Sequence, residues 1–78
     1  MANDIINSME IYVFLLDEGT DVWRAVQAEK IGDNLFRIVS VNPDPENEKW
    51  QFSTGDIVKC KERSLSNSNK CLVAIEKI

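Results

Sequence analysis

Apolar residues occur along this chain in short runs that polar turn residues separate. The first run, EIYVFLLD at residues 10–17, is continuous and rich in β-branched and aromatic residues, which is typical of a strand buried on both faces. Residues 22–31 and 35–41 predict the next two strands, and the turn residues 32–34 join them into a hairpin. The pattern therefore begins with three strands.

Turn residues divide the remainder of the chain into shorter pieces. Gly19 lies between the first two strands, where it can adopt a positive φ angle. The segment 42–49 contains two prolines, each of which removes a backbone donor and restricts the preceding residue, so it predicts an acidic loop. A strand fragment at 50–52, a turn at 54–56, a strand at 57–62, a polar loop at 65–69 and a closing strand at 70–78 follow.

The spacing of these elements predicts the fold class. Five or six short strands, with turn signals about every ten residues and no amphipathic helix, indicate an all-β protein. We expect a small, strongly bent SH3-like barrel of antiparallel strands, because closure removes the unpaired edges of an open sheet. Residues 1–9 show no hydrophobic period and are expected to form a flexible tail, so residues 10–78 make up one domain. A domain this small buries only roughly 60% of its unfolded surface, which favours a groove over an enclosed cavity as a site.

Charge and hydropathy narrow the possible partners. The net charge of −4 disfavours nucleic acid, since attraction to phosphates supplies most non-specific affinity. No apolar stretch is long enough for a membrane-spanning helix. The start of the chain carries Asp4 and no following apolar run, unlike a secretory signal. We therefore expect a cytoplasmic protein that does not contact membranes.

The residues that most catalytic and metal sites need are scarce. The chain has two cysteines, Cys60 and Cys71, and no histidine, so it cannot complete a structural zinc site or a Ser-His or Cys-His nucleophile pair. The carboxylates of Asp17 and Glu18 are adjacent, but they fall in a turn, where acids are ordinarily solvated. The three glycines lack phosphate-loop spacing. The sequence predicts no enzyme, no metal and no cofactor.

Two alternatives remain for the cysteines. In a reducing compartment, free thiols in or near the core are the default. If residues 57–62 and 70–78 pair around the 65–69 loop, Cys60 and Cys71 could lie opposite each other, which would permit a redox-active pair.

The second strand raises a question of register. Period-two alternation places Arg24 on the same face as Val26 and Ala28, and Trp23 on the other face. An uninterrupted register puts Arg24 on the core side, whereas a single β-bulge near Arg24 would exchange the faces and bury Trp23. Trp23 is thus either a cap on the core or an exposed aromatic anchor beside Arg24, a pair of residue types enriched at interface hot spots.

Further candidate residues lie in the second half of the chain. Trp50 and Phe52 share one face of their fragment. Val58 and Cys60 are expected to point inward while the neighbouring lysines point outward, and such a stripe is ordinarily solvated. Arg24 and Arg37 are expected to pair with acids such as Asp17, Asp21 or Glu29. The candidate partner-binding set is Trp23, Arg24, Trp50, Phe52, Lys59, Lys61 and Arg63.

Four short motifs resemble a group of small, mostly uncharacterised bacterial proteins: Val22-Trp23-Arg24, Phe36-Arg37-Ile38, Trp50-Gln51-Phe52 and Gly55-Asp56-Ile57-Val58. The resemblance covers about half of the chain. More widely, the sequence is similar to SH3-like barrels, Tudor-like modules among them, in which an aromatic-Arg-Ala strand begins the central hairpin. The resemblance implies a fold and no activity, since fold alone does not decide function. The Tudor aromatic cage for methylated side chains has no full set of matching positions in this chain.

Three functions are compatible with these observations. The leading hypothesis is a small non-catalytic module that binds another protein, because the aromatic and arginine content exceeds what so small a core needs. The second is a nucleic-acid-binding barrel that uses Lys59, Lys61, Arg63 and Trp50. The third is an accessory protein of phage or immunity type that occludes a basic target through the acidic loop 44–48. The oligomeric state stays open.

Overall fold

The computed structural model describes residues 8–64 and 70–78. All regular elements in these two ranges are β-strands, which confirms the all-β prediction. No helix there is long and apolar enough to cross a membrane. The strands are β1 (Ser8–Leu16), β2 (Trp23–Gly32), β3 (Leu35–Ile38), β4 (Lys49–Trp50), β5 (Ile57–Ser64) and β6 (Lys70–Lys77).

The strand boundaries differ from the expected ones most clearly in β1, β3, β4 and β5, the last of which extends to Ser64. β1 begins at Ser8, two residues before the predicted start, because Ser8 and Met9 pair with Glu29 and Ala28 of β2. β3 ends at Ile38, and β4 contains two residues only. The rest of the predicted tail, 1–7, and the predicted loop 65–69 lie outside the described residues.

The strands pair in the order β2-β3-β5-β6-β1-β4, with an additional pairing between β1 and β2. The pairings therefore lead from β1 through β2, β3, β5 and β6 back to β1. The expectation of purely antiparallel strands is wrong at one place, because β6 pairs with β1 in parallel, at Tyr12 and Val73. These five strands alternate in direction along the circuit, so the first and the fifth run the same way.

The core follows from side-chain alternation along the strands. In β1, Ile11, Val13 and Leu15 are buried, while Tyr12 and Phe14 on the opposite face are half-buried. From Ile11 to Leu15, burial of this strand is thus complete on one face and partial on the other. The core cluster consists of Ile11, Val13, Val26, Ala28, Phe36, Ile38, Phe52, Val58, Cys60 and Ala74.

The strand pairing contains two register shifts, and the turn between β1 and β2 contains a glycine with a positive φ angle. β2 and β3 shift between Lys30 and Gly32, next to the hairpin turn. β5 and β6 shift at Lys59 and Cys60, which pair with Glu76 and Ala74 and leave Ile75 as the extra residue. Gly19 has φ +79°, as its place in the turn predicts.

Candidate functional site

The pairing of β1 with β2 answers the question about Trp23. The register runs without a shift from Ser8–Glu29 to Phe14–Trp23, so no bulge lies near Arg24. Trp23 is therefore on the outer face, where it is half-buried. Its ring packs edge-on against Phe14, with 5.1 Å between the ring centroids and 69° between the ring planes. Trp23 is neither a core cap nor a free aromatic anchor, because its neighbour on β1 covers part of it.

Arg24 is on the core side of β2 but lies beyond the end of the core. Its partner in the ladder, Val13, is fully buried, whereas the Arg24 side chain remains 52% exposed and extends to the carboxylate of Glu48. Arg24 Nε donates to Glu48 Oε1 at 2.9 Å, and Nη2 donates to Oε2. This two-point geometry is the stronger form of an arginine–carboxylate pair. Of the three acids expected to pair with the two arginines, Glu29 pairs with Arg37, whereas the partner of Arg24 is Glu48, which was not among them.

Trp50 joins the same carboxylate. Its indole Nε1 donates to Glu48 Oε1 at 2.8 Å, and the half-buried ring packs against the core. The pairing of Trp50 with Leu15 fixes the backbone of this residue at the end of β1. The hydrogen bonds from Arg24 and then from Trp50 hold the pKa of the Glu48 carboxyl below its usual value. We refer to these three side chains as the Arg24–Glu48–Trp50 cluster.

The loop 42–48 positions Glu48 by means of its own hydrogen bonds. Asn42 Nδ2 donates to the Glu48 carbonyl at 2.6 Å, and Asn42 Oδ1 accepts from the Asp44 amide at 2.9 Å. The Glu48 amide donates to the Asp44 carbonyl at 2.9 Å. The predicted acidic loop therefore has a defined conformation, which fixes Glu48 next to β2.

A groove of about 330 Å³ lies between β2 and the segment 40–43. Ala25 and Val26 line it on the β2 side, and Val41 and Pro43 line it on the other, together with the Arg24–Glu48–Trp50 cluster. Val41 is 74% exposed. We call this hollow the β2 groove. It combines an aromatic ring, an exposed aliphatic side chain and a fixed ion pair.

The seven candidate residues separate into different parts of the molecule. Arg24 and Trp50 meet at the β2 groove, and Trp23 lies on the outer face with Phe14. Phe52 is 7% exposed and belongs to the core, so it is corrected from a contact residue to a packing residue. The remaining three candidates are exposed along β5: Lys59, Lys61 and Arg63.

The basic stripe of β5 does not extend to Trp50. Lys59 pairs with Leu35 on one side and with the acidic residue Glu76 on the other. Trp50 pairs with Leu15, in a different part of the sheet. The aromatic residue and the basic residues of the nucleic-acid hypothesis are thus carried by separate strand pairs.

The two cysteines do not lie opposite each other. Cys60 pairs with Ala74, whereas Cys71 pairs with Arg63, three residues farther along β5 and hence on the opposite face. Both thiols are free. Burial raises the pKa of the Cys60 thiol to about 11. The alternative of a redox pair is therefore wrong for this geometry. Within the described ranges, no three cysteine or carboxylate side chains converge as metal ligands.

Sequence reasoning missed Glu48 as the residue that joins Arg24 to Trp50. The contact between Arg24 and Glu48 spans 24 residues and passes through an irregular loop, so no local period indicates it. Val41 was also missed, because the apolar run 35–41 predicts a strand that is mostly buried on both faces, whereas Val41 is 74% exposed. Comparison of the chain with models of known protein families, with curated proteins and with solved structures gives no match.

Proposed function

We propose that this protein is a small non-catalytic module that binds another protein, and that the β2 groove is its contact surface. The observation on which this depends is the Arg24–Glu48–Trp50 cluster, in which a tryptophan and an arginine are fixed side by side at the surface. Tryptophan and arginine are among the residue types enriched at the hot spots of protein interfaces.

Preorganisation supports the same conclusion. The carboxylate of Glu48 fixes both the Arg24 guanidinium and the Trp50 indole before any partner arrives. Binding then costs little side-chain entropy, which otherwise amounts to about 0.5–1.5 kcal/mol for each long side chain that becomes immobilised. Val41 adds an exposed aliphatic side chain, which is not part of the core and is available for contact with a partner.

We also infer that the strands form a small SH3-like barrel. The circuit of pairings from β1 through β2, β3, β5 and β6 back to β1 supports closure. The two register shifts support it as well, because bulges bend strands and increase their twist.

The test begins with affinity capture from a lysate of the source cells, after which the captured protein is purified and titrated by calorimetry. Val41→Asp places a charge in the β2 groove at a side chain outside the core and should weaken binding at least tenfold. Ile78→Asp is the matched control, since Ile78 is also an exposed aliphatic residue (65%) and does not line the groove. Equal affinities for both variants and the wild type would contradict the proposal.

A further inference from the structure

The edge of β2 beside the groove has no strand neighbour at residues 23–26 in the described part of the chain. Pairing with β3 begins only at Ala28. Gln27 is the last residue to be engaged on this side: its carbonyl accepts the amides of Val39 at 3.0 Å and Ser40 at 3.3 Å, and its amide donates to the Ser40 hydroxyl at 2.8 Å. Beyond Gln27 this edge of the strand faces the β2 groove.

The register identifies the backbone groups on that edge. The Leu15 amide donates to the Val22 carbonyl at 2.9 Å, which makes Val22 a hydrogen-bonded position toward β1. Alternate residues of an antiparallel strand bond to the same neighbour, so Arg24 and Val26 also direct their amides and carbonyls to β1. Trp23 and Ala25 direct theirs the other way, as Gln27 does. Their amides and carbonyls are therefore presented to the groove.

The chain opposite this edge cannot close the gap by prolonging β3. Ser40 is bonded to Gln27, but its carbonyl accepts from the Thr54 hydroxyl, and Asn42 Nδ2 donates to the Glu48 carbonyl, so residues outside β2 hold the segment beyond that point. Pro43 has no amide hydrogen with which to bond a neighbouring strand. Among the described residues, the edge of β2 at 23–26 is thus left open.

The charges around the open edge indicate the partner's chemistry. The loops 17–21 and 44–48 contain three carboxylates each and no lysine or arginine. The first of them joins β1 to the start of β2, where the Leu15 amide donates to the Val22 carbonyl, and after Glu48 the Glu18 carboxylate also contributes to the raised pKa of Arg24. The positive charge of Arg24 is already paired with Glu48. In the described part of the chain, Asp44 and Glu46 form no ion pair and neither do the acids of the loop 17–21, so a basic segment would meet acidic charge from both loops.

We propose that an extended segment rich in lysine or arginine adds to the edge of β2 as a further strand, bonding to the backbone of Trp23 and Ala25. This inference rests on the proposed function, since it names the chemistry of the partner in the same groove. In strand addition, backbone hydrogen bonds supply affinity and alternate side chains supply specificity. One face of the added strand would place apolar side chains against Val41 and Trp50, and the other would present basic side chains to the acidic loops.

The probe is a capped heptapeptide of alternating lysine and valine, and a glutamate–valine heptapeptide is its control. In ¹⁵N NMR spectra the lysine peptide should shift the Ala25 amide and slow its exchange with solvent at least tenfold, and added salt should weaken this binding. The glutamate peptide should leave the amide unchanged. Equal binding of both peptides would overturn the assignment of a basic partner.

Two pairs of variants separate backbone pairing from general attraction. Ala25→Pro removes the amide that faces the groove and should weaken binding of the lysine peptide at least tenfold, whereas Ala25→Ser keeps the amide and should bind like the wild type. Glu46→Lys should weaken binding several-fold, while Glu62→Lys, an equal charge change on β5, should have a smaller effect. If Ala25→Pro does not fold, protection of the Ala25 amide in the wild type still decides the question.

These measurements also distinguish failure of this inference from failure of the proposed function. One outcome is that Val41→Asp abolishes binding of the purified partner, while the partner leaves hydrogen exchange of the wild-type Ala25 amide unchanged. The groove then binds protein, and strand addition is wrong. If Val41→Asp leaves partner affinity unchanged, the β2 groove is not the contact surface. If the Ala25 amide is protected by the lysine peptide and also by the purified partner, strand addition is supported.

Discussion

Arg24 and Glu48 form a two-point ion pair across 24 residues of sequence, and the Trp50 indole donates to the same carboxylate. The pair connects the beginning of β2 with the end of the irregular loop 42–48. It therefore fixes one wall of the β2 groove relative to the other.

A double-mutant cycle of Arg24→Ala and Glu48→Gln should give a coupling free energy of about 0.5–1 kcal/mol, because the pair is bidentate but the Arg24 side chain is half exposed. Urea unfolding at low ionic strength measures it. The Arg37–Glu29 pair is the matched control: it joins directly opposed residues, but both of its side chains are nearly half exposed, so its coupling should be smaller. A coupling no larger than that of the control would contradict a structural role for Glu48.

The stability that Glu48 contributes should depend on pH in one direction. Its carboxyl has a lowered pKa in the folded protein, so the stabilisation is present above the unfolded value of about 4.3 and is lost as the pH falls through the folded value. The difference in unfolding free energy between the wild type and Glu48→Gln should therefore be largest near neutral pH and decrease in acid. Urea unfolding at several pH values, with a ¹³C NMR titration of the carboxyl, measures both quantities. If the difference in unfolding free energy between the two proteins increased as the pH falls, the lowered pKa of Glu48 would be wrong.

Much of the sheet could be predicted because its signals are local. The alternation of polar and apolar residues distinguished the solvent-exposed face of β2 from its core face, and Val26 and Ala28 are buried as the pattern predicts. Gly19 adopts the positive φ angle that its turn needs. The parallel pairing of β1 with β6 could not be predicted from alternation, since it depends on the number of strands in the circuit.

The candidate site could be predicted only in part. Arg24 and Trp50 were singled out by residue type, and the structure brings them together. Phe52 was misassigned because a short fragment gives no period from which to tell its core face, and it is buried. Glu48 was missed because its contact depends on the conformation of an irregular loop, which hydrogen bonds of Asn42 and Asp44 determine.

Trp23 should act on stability and not on partner binding. Its ring packs edge-on against Phe14, and a pair of this kind contributes about 0.5–1.5 kcal/mol beyond burial. A double-mutant cycle of Trp23→Ala and Phe14→Ala, followed by urea unfolding, should give a coupling in that range. Partner affinity of Trp23→Ala should stay within twofold of the wild type. Lost affinity with unchanged stability would show instead that Trp23 is a contact residue.

Oxidation of the folded protein should not join Cys60 to Cys71. Cys60 pairs with Ala74, and Cys71 lies three residues from Ala74 along β6, a distance of roughly 10 Å at about 3.3 Å per residue. An unstrained disulfide needs Cα atoms within about 7 Å. After treatment with diamide, mass spectrometry of the folded monomer should therefore show an unchanged mass. The same treatment in urea should lower the mass by two hydrogens, because the unfolded chain can form the disulfide. An internal disulfide formed under native conditions would refute the register of β5 and β6.

The buried thiol of Cys60 should make the protein less stable at alkaline pH. Its pKa is about 11 in the folded state, against about 8.5 for a free cysteine, so between these values the unfolded chain releases a proton that the folded chain retains. Unfolding is then favoured as the pH rises from about 8.5, by about 1.4 kcal/mol for each pH unit within the interval at most. The comparison uses Cys71→Ala against the double variant Cys60→Ala/Cys71→Ala, so that lysine and tyrosine titrations cancel and no disulfide can form. The unfolding free energy of Cys71→Ala should fall more steeply between pH 8 and 10.5, by roughly 1–2 kcal/mol in total. Parallel curves for the two variants would mean that Cys60 is as accessible to ionisation in the folded state as in the unfolded chain.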